Sequence, residues 1–191
     1  MSTRKLLAIG GVFASLVLIG SGIASLVIGY QGRDEVRDTL RREQIVGPDD
    51  STIPGQLVDT GSEARAQADI IRHHQLDRTG GLTYAQMGRF ATPDGDPAGT
   101  NVADEAAKNA NGDPVANAAR NNWITATTLI TSLETAYFAE QVGLFSMVVG
   151  GALLLSGIGF AVLIAAALLH WRALEEKEEA ATAGAMVSRP A

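Results

Sequence analysis

Two long runs without a formal charge divide the chain. The first spans Leu6 to Tyr30 and the second Val142 to Leu169, 25 and 28 residues respectively. A helix needs about 20 apolar residues to cross a bilayer core, so each run predicts a transmembrane helix. Ahead of the second run, Trp123, Ala126, Ile130, Leu133, Tyr137 and Phe138 recur at helical intervals. No helix breaker lies between this amphipathic stripe and the membrane, so one long helix is expected to run from a polar domain into the second span.

The pattern between the spans is polar and helical. Gly32 to Gln44 reads as a helix continuing the first span, with Arg33, Arg37 and Arg41 on one face, against either lipid headgroups or solvent. Gly47-Pro48 ends it, and 47–61 reads as a loop. Ser62 is expected to cap a helix reaching Asp77, closed by Gly80-Gly81. Thr83 and Gln86 form a capping box, with Leu82 and Met87 as its hydrophobic staple, for a short helix 84–90. A further helix is expected over Val102–Ala110. Asp113-Pro114 would then open the long one.

The expected fold is an all-α membrane protein, with two transmembrane helices flanking a small helical extracytoplasmic domain and the second span continuous with a long amphipathic helix. Its parts are a cytoplasmic N-terminus (1–5), a first span (6–30), the helical domain (31–141), a second span (142–169) and a mostly disordered cytoplasmic tail (170–191). A secretory signal has a shorter apolar region of about 7–15 residues, and Ile23-Ala24-Ser25 is a poor cut site, so the first run reads as a retained anchor. Arg172 and Lys177 follow the second span while Glu134 and Glu140 precede it, which places the termini inside a bacterial cell membrane. Tyr137 and Phe138 suit the outer interface, and Trp171 and Arg172 the inner one. Gly150-Gly151 is the expected place for any bend.

Small residues recur four apart in both spans. They include Gly10/Ala14, Gly11/Ser15, Gly20/Ala24 and Ser21/Ser25 in the first, and Ser146/Gly150 and Gly157/Ala161/Ala165 in the second. Such spacing lets helices approach closely in lipid, within a hairpin or between chains.

Charge and candidate chemistry narrow the function. The domain 31–141 holds 10 Arg/Lys and 17 Asp/Glu, which offers no basic face for nucleic acid. Cysteine is absent, which removes disulfides, thiolate metal sites and a cysteine nucleophile. Asp69 and His73, four apart on one helix face, are the candidate ligands for a catalytic metal. His74 points about 100° away from His73 on a helix, and the third histidine, His170, lies beyond the second span. Asp94, Asp96 and Glu105 occupy first, third and twelfth positions of a calcium-like loop, but Ala98 stands where a fifth-position ligand belongs.

The segments Ala66–Ile71, Thr79–Ala85 and Thr135–Val142 resemble, in that order, an uncharacterised actinobacterial family of small two-span membrane proteins. The resemblance covers nearly the whole chain apart from the tail. It implies two spans around an extracytoplasmic helical domain. Members often carry the label aromatic ring-opening dioxygenase, but two adjacent histidines and one across the bilayer offer no facial triad here, so no catalytic residue is carried over.

The leading expectation is a non-enzymatic envelope protein without a cofactor. It would contact membrane lipid and assemble with itself or with a larger membrane complex. The alternatives are a metal-dependent membrane enzyme using Asp69/His73, or a pore component. The pore reading is opposed by spans that carry no ionisable residue.

Overall fold

A computed structural model describes residues 3–187. It is all-α, with three α-helices: α1 (Thr3–Glu43), α2 (Gly61–Arg78) and α3 (Ala118–Val187), plus one 3₁₀ turn at Tyr84–Gln86. Helices α1 and α3 are each long and apolar enough to cross a membrane. Only 11% and 6% of their most apolar windows are buried, unlike the core helix of a soluble protein. The chain divides into two compact units, one of Met1–Gln31 with Gly143–Ala191, the other of Gly32–Val142.

In the first unit α1 and α3 form an antiparallel pair. The buried positions are Ser15, Gly22 and Gly29 on α1 and Gly143, Gly150 and Gly157 on α3, each series stepping by seven. A seven-residue step keeps one seam of a slightly underwound helix facing its partner. Glycine at that seam brings backbone against backbone. A Cβ at Gly22 would lie 2.6 Å from the Leu154 nitrogen and 2.8 Å from the Gly150 oxygen, and one at Gly29 2.6 Å from the Gly143 oxygen. Ser25 and Ser146 close the pair with reciprocal bonds: the Ser25 hydroxyl donates to the Ser146 carbonyl at 2.9 Å, and the Ser146 hydroxyl to the Ser25 carbonyl at 3.1 Å.

In the second unit α2 packs on the polar ends of α1 and α3. Leu40, Val58, Ala64, Ala68, Ile130 and Leu133 form one core, and Met87, Trp123 and Ala126 a smaller one. Trp123, Ala126, Ile130 and Leu133 of the amphipathic stripe of α3 are therefore covered by its own chain, and Trp123 also donates its indole N–H to the Leu82 carbonyl at 2.9 Å.

Several local expectations are corrected. The N-cap of α2 is Thr60, not Ser62. Thr60 and Glu63 form the capping box, and the Glu63 carboxylate accepts the Thr60 N–H at 2.9 Å; Ser62 has no acidic partner three residues on. The Gly80-Gly81 stop stands, both residues having positive φ and Gly81 N–H bonding the Leu76 carbonyl. Thr83 and Gln86 do form a capping box, but only a 3₁₀ turn follows. Gly88 and Phe90 instead direct their N–H groups to the carbonyls of Ala98 and Thr100.

No helix forms over 102–110, nor at Pro114. The Asn109 side chain accepts the N–H of Asn111 and of Asp113, a local pattern that competes with helix. Helix α3 begins only where Asn117 caps it, accepting the Ala119 N–H at 3.1 Å. The same side chain donates to the carbonyls of Gly88 and Pro97, pinning the irregular segment 88–117 to the helix start. At the other end α3 continues helically to Val187, past the point where the alanine-rich tail predicts disorder. Residues 1, 2 and 188–191 of the two predicted cytoplasmic termini lie outside the described residues.

Candidate functional site

The densest polar arrangement in the second unit is built on Glu140, a buried carboxylate on α3. Its Oε1 accepts from Arg37 Nε at 2.9 Å and from Arg33 Nη2 at 3.1 Å. Its Oε2 accepts the Gly61 N–H, the first turn of α2, at 2.6 Å. One side chain thus ties three helices together and places a negative charge at a helix N-terminus, where the helix dipole favours it. Burial by itself would raise the Glu140 carboxyl; the Gly61 N–H and the two guanidiniums outweigh it and hold the carboxyl below its usual range. Gly61 permits this approach. A Cβ there would lie 2.8 Å from the carboxylate and 2.9 Å from the Tyr137 Cα.

This arrangement replaces both readings of the arginine stripe. Arg33 and Arg37 pair with Glu140, and Arg41 bonds Asp59 at 3.0 Å. A carboxylate saturated by donors and held ionised is a poor proton acceptor, so its chemistry is that of a structural anion. The sequence signal was present: a lone acid beside an apolar run, with two arginines one helical turn apart in an earlier helix.

The metal candidates are not brought together. His73 pairs with Asp77 at 3.4 Å, and His74 bonds the exposed Asp50 at 2.6 Å. That bond from His74, more than any other cause, lowers the Asp50 carboxyl. Asp69 joins neither histidine in a bond, and no cluster of three His, Cys, Asp or Glu capable of holding a metal occurs among the described residues. In the calcium-like loop Asp94 accepts the Asp96 N–H, Asp96 accepts the Ala98 N–H and Glu105 accepts the Thr100 hydroxyl. Those carboxylates hold the loop's own turns.

The small-residue positions separate into two sets. Gly22, Gly29, Gly150 and Gly157 are consumed within the α1/α3 pair, and Gly11 faces Ile164 there. Gly10, Gly20, Gly151 and Gly159 have nothing within 4 Å of an added Cβ. Ala14, Ala24, Ala161 and Ala165 are exposed, while Ser146 is half-buried at its bond with Ser25. Of the expected interface residues, Tyr137 lies under the Arg65 guanidinium at 5.0 Å, Phe138 and Arg172 are exposed and Trp171 is half-buried.

A cleft of about 910 Å³ opens between the polar ends of the three helices. Val36, Leu40, Ile71, Leu133 and Ala136 are among the residues lining it, with Gln67 beside them and Glu35 and Glu43 on the α1 side.

No family model matches the chain, and no curated protein or solved structure is similar to it. The functional reading rests on these residues alone.

Proposed function

We propose that this is a non-enzymatic, two-span protein of the bacterial cell membrane that assembles with copies of itself or as an accessory subunit of a larger membrane complex. Both termini lie in the cytoplasm and the Gly32–Val142 unit lies outside. The observation that carries the reading is the second set of small residues. After the hairpin has taken its own glycines, Gly10 and Gly20 on α1 and Gly151 and Gly159 on α3 remain open on apolar helices. Helices associate in lipid through close packing at such positions, since lipid is as apolar as leucine and gives little hydrophobic drive. The amphipathic stripe of α3 lends assembly no support, because Ile130 and Leu133 are buried within the chain.

The test is native mass spectrometry of protein extracted in its own lipid. Gly20→Leu with Ala24→Leu, both outside the hairpin seam, is expected to reduce copy number or remove a co-purifying subunit. Unchanged copies and partners would show that this face is not the assembly surface.

A further inference from the structure

The cleft in the Gly32–Val142 unit has the size of a ligand site, and its charge selects the ligand. Binding sites for small molecules occupy about 300–1,000 Å³, are mostly apolar and carry a few convergent polar groups. Here the α1 wall runs from Gly32 to Glu43, about 16 Å at 1.5 Å per helical residue. Leu40 and Leu133 are buried in the floor, while Leu129 remains half-exposed at the opening.

Two features distinguish this cleft from a bare apolar face. Glu35 and Glu43 are exposed at its edge, neither is in an ion pair among the described residues, and no lysine or arginine is among the residues lining the cleft. An unpaired acidic edge repels fatty acids and anionic lipids and attracts a cation. Gln67 lines the same cleft, and its buried Oε1 has no hydrogen-bond partner. An orphaned buried acceptor costs stability. A turn of the amide toward a donor in the cleft would remove that cost.

We propose that the cleft binds a lipophilic amine: an elongated apolar body along Val36, Leu40, Ile71 and Leu133, with a protonated nitrogen held by Glu35 or Glu43 and an N–H donated to Gln67. This goes beyond the assembly reading and does not depend on it.

The experiment uses the full-length protein in nanodiscs of a zwitterionic lipid at neutral pH. Dodecylamine and dodecanoic acid, each carrying a diazirine, are photolysed separately, and the labelled residues are mapped by mass spectrometry. The amine probe is expected to label residues 32–43, 67–71 and 129–139 and to be displaced by unlabelled dodecylamine. The acid probe should label them about fivefold less, the upper end of what one exposed charge pair supplies. Glu35→Gln with Glu43→Gln should abolish that ratio while leaving the melting temperature unchanged, because both groups are exposed. Gln67→Leu should weaken amine labelling without lowering the melting temperature, since it removes an unpartnered acceptor. Equal labelling by both probes, labelling elsewhere only, or cross-links in the cleft to a co-purifying polypeptide would each overturn the proposal.

Discussion

The two units solve the packing of the same two helices by opposite chemistry. In the first, α1 and α3 meet through what their side chains lack: glycine at a seven-residue step, with backbones in contact and the Ser25–Ser146 pair as the polar closure within the seam. In the second, the same helices meet α2 through leucine, valine and isoleucine, and through a carboxylate that two arginines and a backbone N–H satisfy. Where water is present, burying large apolar groups drives association. Where the surroundings are themselves apolar, contact area and close approach matter more. The change in chemistry along one continuous helix is what separate aqueous and lipid surroundings would require.

Breaking the polar side should have the largest effect. Glu140→Ala leaves Arg33 and Arg37 without their shared anion and Gly61 N–H without its acceptor. Removing one partner of a buried ion pair costs about 3–5 kcal/mol, and the partial exposure of the arginines places the expected loss at or below the lower end. Thermal unfolding of the Gly32–Val142 unit, followed by Trp123 fluorescence, checks it.

Gly22→Leu should break the apolar side. Its side chain meets the backbone of Leu154 and Gly150, which cannot rotate away, and overpacking of this kind costs about 1–3 kcal/mol. Because the chain has no cysteine, Ser25→Cys with Ser146→Cys provides a clean reporter. The disulfide should form readily in the parent and poorly with Gly22→Leu. Gly20→Leu, with nothing nearby, should leave it unchanged and so separate hairpin glycines from the open ones.

These two sites also mark what the sequence could disclose. The three helices that form, their apolar runs and the continuity of α3 were legible because long periodic patterns leave few alternatives. The hairpin seam was not. Glycine and alanine are so frequent in both runs that pairs four apart occur by chance alongside the true seven-residue step of Ser15, Gly22 and Gly29. Glu140 was hidden for a different reason: its partners lie in α1 and α2, and no local pattern announces a contact between distant helices. The stretch 102–117 carries helix signals but forms no helix, because Asn109 and Asn117 bond to nearby backbone, which residue propensities do not register.

A smaller loss is expected from Thr60→Ala. It removes the side-chain half of the α2 capping box while leaving Glu63 in place, so about 1 kcal/mol should be lost. Hydrogen exchange at Glu63 N–H, which Thr60 Oγ1 accepts, should quicken while amides of the α1/α3 hairpin stay protected. Faster exchange in both units would mean that they unfold together.

The smallest effect should come from Asp50, and acid provides the comparison. Asp50 and Glu140 both have carboxyls lowered in the folded chain. A lowered carboxyl contributes stability that is fully present above its ordinary, unfolded value, about 4. That stability disappears as pH falls through the folded value. Glu140 is buried, so its protonation should strip Arg33 and Arg37 of their partner and weaken the whole three-helix junction. Asp50 is exposed and bonded to His74, where water replaces a lost partner at little cost. An acid titration of the melting temperature should therefore lose much of its slope below about pH 4 in Glu140→Gln and almost none in Asp50→Asn. If Asp50→Asn flattened the curve as much as Glu140→Gln, the junction at Glu140 would not be what holds the polar unit together.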